Sequence, residues 1–178
     1  MKLLLLGVCS TLLVGCASSI DDYKSKPSNF VLEEYFDGYV VANGMIQDYT
    51  NKVNRVFCVD IDGTWKDGVL TLDEDFYFDD GEIDDRQWKI NKTKQGYEGT
   101  ANDIAGKAYG KSSGIAFQWQ YDFEIESGDS TFNVHVDDWL YKLSEREVMN
   151  RSALTKFGIE VGQITLHFTK DGEPCKDK

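Results

Sequence analysis

Between positions 115 and 126 the chain alternates without a break. Ile115, Phe117, Trp119, Tyr121, Phe123 and Ile125 take every second place, with Ala116, Gln118, Gln120, Asp122, Glu124 and Glu126 between them. Side chains of a strand point to opposite faces in turn, so a period of two means one buried face and one wet face. Ser127-Gly128-Asp129-Ser130 turns the chain, and Phe132, Val134 and Val136 return on the buried side. Pairing through that turn sets Trp119 opposite Asp138.

A second hairpin runs through Leu70-Thr71-Leu72-Asp73-Glu74-Asp75-Phe76-Tyr77-Phe78, whose even positions are apolar apart from Glu74. Asp79-Asp80-Gly81 suits a three-residue loop with glycine in the left-handed position. That register pairs Leu70 with Ile90, Leu72 with Trp88 and Glu74 with Arg86. A slip of one residue would turn Gln87 and Lys89 inward, which the hydrophobic pattern opposes. Shorter strand signals stand at 30–36, 39–47, 53–65, 97–102, 105–111 and 163–169. The segment 144–157 breaks the alternation and is expected to hold one short helix. The pattern predicts an all-β, antiparallel, up-and-down barrel of about 8–10 strands with short turns. Closure removes exposed sheet edges; a two-sheet β-sandwich is the alternative left open.

Composition supports strands: 16 glycines serve turns, prolines number only 2, and 13% of residues are aromatic. With 31 acidic against 19 basic residues, the net charge is −12. Such a surface is repelled by phosphate backbones, so no nucleic-acid partner is expected.

The front of the chain differs from the rest. Met1-Lys2 precedes an almost wholly apolar run, and Leu13-Val14-Gly15-Cys16 resembles the lipobox of bacterial lipoproteins. The resemblance implies a signal peptide at 1–15, removed in the mature chain, and acylation of Cys16. Several acyl chains on one residue hold a protein at a membrane stably. Residues 16–29 are small and polar and read as a flexible tether, 30–170 as one β-barrel domain, and 171–178 as a C-terminal tail. Cys9 leaves with the signal, so Cys58 and Cys175 remain as one pair in a compartment that permits disulfides. They form either a bridge between tail and barrel or two separate thiols.

Three charged residues, Glu74, Arg86 and Asp138, fall on the inward face. Buried charges are costly unless paired. They are either an ion-pair network that fixes register or a polar anchor for a ligand's head group. Arg151 is a further member that the sequence does not place. Positions 99–110 are poor in bulk, leaving room either for large neighbours such as Trp88, Trp119 and Phe117 or for a ligand. The acidic stretch from Asp73 to Asp85 lacks the ligand order of a calcium loop and alternates across faces. His135 and His167 should both face outward, so no metal site is expected. Ser152 lacks a nucleophile-elbow context. No catalytic set or cofactor motif is legible, and the chain reads as a non-enzyme.

The chain resembles a proteobacterial lipoprotein family catalogued as domain of unknown function three-eight-three-three. The likeness rests on Leu72-Asp73-Glu74-Asp75-Phe76 with Asp80-Gly81, Arg86 and Trp88. It continues through Gly99-Thr100-Ala101 and Gly106-Lys107-Ala108-Tyr109-Gly110. Asp137-Asp138-Trp139-Leu140-Tyr141, Asn150-Arg151-Ser152 and Thr155-Lys156-Phe157-Gly158 complete it. The family brings no assigned activity. Ala17 after Cys16 resembles lipoproteins sorted to the outer membrane, which implies a position facing the periplasm. Gly63-Thr64-Trp65 is similar to the Gly-x-Trp of lipocalins, although lipocalins carry it nearer the start. The expected function is a lipocalin-like, lipid-anchored barrel that binds a hydrophobic or amphipathic small molecule such as a lipid or fatty acid. Trp88, Trp119, Phe117 and Tyr121 would form apolar walls, and Glu74, Arg86 and Asp138 would orient the polar end. Two alternatives stand beside it: a filled barrel that docks an envelope protein partner, and a lipid-modifying enzyme using Glu74 or Asp138 as acid or base.

Overall fold

The computed structural model describes residues 18–26, 29–127 and 130–177. Cys16 and the expected signal peptide at 1–15 lie outside the described residues. Ten strands follow one another: β1 (Gly38–Asp48), β2 (Val53–Lys66), β3 (Val69–Phe78), β4 (Ile83–Thr93), β5 (Gly96–Thr100), β6 (Ile104–Ser113), β7 (Ala116–Ser127), β8 (Ser130–Lys142), β9 (Glu147–Lys156) and β10 (Ile159–Thr169). Each pairs antiparallel with the next, and β1 pairs with β10 to close the barrel. The sheet is therefore the up-and-down barrel that the alternation predicts, rather than a sandwich.

Register follows the buried face. Leu70 lies opposite Ile90, Leu72 opposite Trp88, Glu74 opposite Arg86, and Trp119 opposite Asp138. The apolar pairs Leu70–Ile90 and Leu72–Trp88 hold this register because one face is buried, and the same register carries Glu74, Arg86 and Asp138 inward. Between Ala105 and Tyr109 the pairing of β6 with β7 shifts, and Gly106 sits there at φ +75°. A glycine at positive φ lets the strand bulge and bend as the barrel curves.

Two segments differ from the sequence expectation. Residues 30–36 are not a strand: Leu32–Phe36 form the short helix α1. Leu32, Tyr35 and Phe36 recur at helical spacing, and all three are buried with Phe30. The helix plugs the end of the barrel where β1 begins. The Phe30 N–H donates to the Gly114 carbonyl at 2.8 Å, and the Tyr35 hydroxyl lies 3.1 Å from the Phe168 carbonyl oxygen. Conversely, the expected helix within 144–157 is absent, and most of that segment is strand β9. Its inward row is Val148, Asn150, Ser152 and Leu154. The two polar residues in the middle of that row are what hid the strand in the sequence.

Both ends of the described chain are fastened to the outer wall. Cys58 of β2 and Cys175 are joined by a disulfide across a separation of 117 residues. Asp60 accepts the Cys175 N–H at 2.9 Å, and Gly172 packs on Val41, which is fully buried on the outer face of β1. At the front, Ile20–Tyr23 form a 3-10 turn. Tyr23 lays its ring 5.9 Å from Trp139 and 5.7 Å from Tyr141, so this part of the supposed tether is docked rather than free.

Candidate functional site

Inside the barrel lies a cavity of about 260 Å³. It runs from Leu32 and Phe36 of the plug to Ile46 and Phe78, near the strand ends on the opposite side. Its shape follows from the aromatic positions. Trp88, Trp119 and Tyr121 meet edge-on, with Trp88 centred 5.6 Å from Trp119 and 5.4 Å from Tyr121. Phe57, Phe76 and Phe78 form a second group nearer the unplugged end. The small residues of β5 and β6 explain how two tryptophans fit. A Cβ on Gly110 would lie 2.2 Å from Trp119, and one on Gly99 would lie 2.8 Å from it. Glycine here makes space for the indole on the wall, so the low bulk of 99–110 serves packing, while the same indole still lines the cavity.

A polar belt crosses this apolar space. Arg86 donates from Nε to Asp103 at 2.8 Å and approaches the same carboxylate through Nη2 at 2.6 Å. Its Nη1 stands 3.8 Å from Glu74. The rings of Phe123 and Phe76 lie against the guanidinium, with centroids 4.8 and 5.2 Å from Cζ. Across the cavity, Asp138 accepts from the Ser152 hydroxyl at 2.9 Å and from the Asn150 amide, which also reaches the Trp139 carbonyl at 3.1 Å. One guanidinium and two carboxyls thus line the cavity, and Asp103 reaches the guanidinium from the turn beside it.

Burial sets their protonation. It pushes the Glu74 carboxyl up to about 7; Arg86 opposes the rise, while Asp103 and Asp138 add to it. Burial likewise pushes Asp138 up to about 6, against the hydrogen bonds from Asn150 and Ser152 and the pull of Arg86. The Tyr121 hydroxyl is held well above its ordinary value by burial and by Asp138. Burial works against the charge of Arg86, but Glu74 and Asp103 outweigh it.

All seven side chains singled out for the interior, Trp88, Phe117, Trp119, Tyr121, Glu74, Arg86 and Asp138, line this one cavity. Sequence reasoning missed Asp103, which reaches Arg86 from the turn between β5 and β6. It also missed Asn150 and the inward role of Ser152; both share a strand face with Val148, the signal that would have found them. Arg151 points outward to Gln163 at 2.8 Å. Cys58 and Cys175 sit on the outer wall, away from the cavity, and Cys16 is outside the described residues. His135 pairs with Asp122 at 2.8 Å on the exposed face, and His167 lies 3.7 Å from Glu147. Among the described residues no group of His, Cys, Asp and Glu is arranged to hold a metal ion.

A separate buried carboxylate supports the floor. Glu33 of α1 accepts from Lys92 at 2.5 Å and from the Tyr97 hydroxyl at 2.7 Å. Burial alone would raise its pKa, but these two donors reverse the effect and hold it below the usual value. Its partners tie the plug to β4 and β5.

A family model described as "Protein of unknown function (DUF3833)" matches residues 10–170. No curated protein matches the chain. Among solved structures, the chain is similar to the S-type phycobiliprotein lyase CPES from Guillardia theta. That match has a TM-score of 0.58 and 9% identity, covering 80% of this chain and 92% of the other. At that identity the likeness is one of fold, and the fold is lipocalin-like.

Proposed function

The chain belongs to the DUF3833 family, and on that premise we propose that it is a binding protein whose barrel holds one hydrophobic or amphipathic small molecule of the lipid type. The observation that carries this reading is the cavity: apolar and aromatic over most of its wall, with a few convergent polar groups at one level. That combination is typical of small-molecule sites, where apolar surface supplies affinity and a few polar atoms fix orientation. A barrel whose own side chains filled its interior would leave no such space. The wall is also pre-formed, since Trp88, Trp119 and Tyr121 brace one another, and a rigid site loses little entropy on binding.

The location belongs to the same proposal. Acylation of Cys16, with Ala17 behind it, would place the barrel in the periplasm on the outer membrane. The docked turn Ile20–Tyr23 would then hold the barrel close to the bilayer. A Cys16→Ser chain that still fractionates with the membrane would refute the anchor.

The binding reading is tested by native mass spectrometry of the chain purified gently from its host. The expected result is a stoichiometric non-covalent adduct that is lost when Ile164→Trp fills the cavity. A clean apo mass, together with no binding of any amphiphile from a panel, would sink it.

A further inference from the structure

The polar belt offers a ligand chiefly carboxyl acceptors. Arg86, the cation of the cavity, is engaged. Its Nε and Nη2 are taken by Asp103 and two phenyl rings lie against the guanidinium, while Nη1 has only the 3.8 Å approach to Glu74. The acceptors are in surplus. Among the described residues Glu74 makes no hydrogen bond, and its approach to Arg86 is long at 3.8 Å. Asp103 keeps one buried oxygen, Oδ1, without a partner. Asp138 uses Oδ1 for both Asn150 and Ser152, and its Oδ2 accepts from none of the described residues.

Resting on the binding reading above, we infer that the polar end of the ligand is a cationic amine, seated between Glu74 and Asp138 with its alkyl portion against Trp88, Trp119 and the phenylalanines. A fatty acid or phosphate ester would bring a further anion into a space where Glu74 and Asp138 already outnumber the one guanidinium, itself held by Asp103 from the adjoining turn. An ammonium group instead supplies the missing donors and cancels charge, and hydrogen bonds between ions are the stronger ones. The inference narrows the expectation of a lipid or fatty acid to amphiphiles with a basic head.

A pH dependence follows. The groups facing Glu74 are Arg86 from β4, Asp103 from the β5–β6 turn, Tyr121 from β7 and Asp138 from β8. An alkylammonium keeps its charge throughout the range in which Glu74 and Asp138 titrate. Its binding therefore competes with protons on the carboxyls, and its affinity falls as pH drops.

The test compares decylamine, decanol and decanoate by calorimetry on the purified full-length chain, so that only the head group varies. At about pH 8 the amine should bind at least about tenfold tighter than decanoate, the range expected of a charge-assisted pair. Its affinity should fall by about one decade per pH unit below the Glu74 value of about 7, while that of decanol stays level. Glu74→Gln, which keeps the shape, should weaken the preference and move the fall in affinity from about 7 to below the Asp138 value of about 6. The wild-type pH profile is read without any variant, so a folding defect in Glu74→Gln cannot mimic the result. Decanoate binding as tightly as decylamine, or equal binding of all three heads, overturns the inference and leaves the binding reading intact. Failure of all three to bind overturns both.

Discussion

Neutralising Glu74 should make the barrel more stable at neutral and alkaline pH and leave it unchanged in acid. The carboxyl has an ordinary pKa of 4.5 and is pushed up to about 7 by burial inside the barrel. A raised carboxyl pKa means that the folded state holds a proton the unfolded chain has released. The stabilising contribution is therefore fully present below about 4.5 and is lost as pH rises through about 7. At about 1.4 kcal/mol per pKa unit, the interval from 4.5 to about 7 corresponds to about 3 kcal/mol. The Glu74 side chain is only 12% exposed, so solvent screening removes little of this. Glu74→Gln imitates the protonated form, and relief of the repulsion from Asp138 is part of the measured difference. Urea unfolding followed by tryptophan fluorescence, at a series of pH values, measures the difference directly. The two proteins should coincide near pH 4, and the variant should lead by about 3 kcal/mol near pH 8, a midpoint shift of about 1–2 M. Parallel curves would refute the argument. A variant less stable than wild type near pH 8 would show that the attraction of Arg86 outweighs burial and that the pair is a net stabilising ion bridge.

Three further outcomes follow from the same structure. Replacing Cys175 with serine releases a loop closed across 117 residues; chain entropy then predicts a loss of up to about 5 kcal/mol in denaturant unfolding, and a loss below about 1 kcal/mol would contradict it. Gly110→Ala should destabilise by about 1–3 kcal/mol, as overpacking does, and alter the near-ultraviolet dichroism of Trp119, because the new Cβ would sit 2.2 Å from that indole. Strand propensity alone predicts the opposite sign, so a stabilised variant would refute the packing account. Tyr23→Ala should free the front segment to proteolysis between residues 18 and 26 while leaving the unfolding midpoint of the barrel nearly unchanged, since the ring packs on Trp139 and Tyr141 from outside the barrel; unchanged protease resistance would show that other contacts hold the segment.

What the sequence could reveal was governed by how local each determinant is. Alternation is a property of neighbours in the chain, so β7, β8 and the hairpin carrying Glu74 and Arg86 were legible to the residue, and with them the facing of Trp119 and Asp138. The stretch 30–36 carries two patterns at once. Phe30, Leu32 and Phe36 fit a period of two, while Leu32, Tyr35 and Phe36 fit a helix, and only the need to cap an open barrel end decides between them. Strand β9 failed for the converse reason. Asn150 and Ser152 face inward because Asp138 stands across from them and needs donors, a demand that arises only once β8 and β9 are side by side.

Asp103 is the extreme case. It sits in a turn, where periodicity says nothing, and acquires its role because closure of the barrel brings that turn over Arg86. The polar half of the site was therefore partly hidden for a physical reason. An apolar wall is specified strand by strand, whereas a charge balance is specified only by the assembled ring. The hidden member changes what the cation can do: Glu74 and Asp138 already outnumber Arg86, and Asp103 takes its Nε and Nη2, so the guanidinium that looks ready for a ligand's carboxylate is already held.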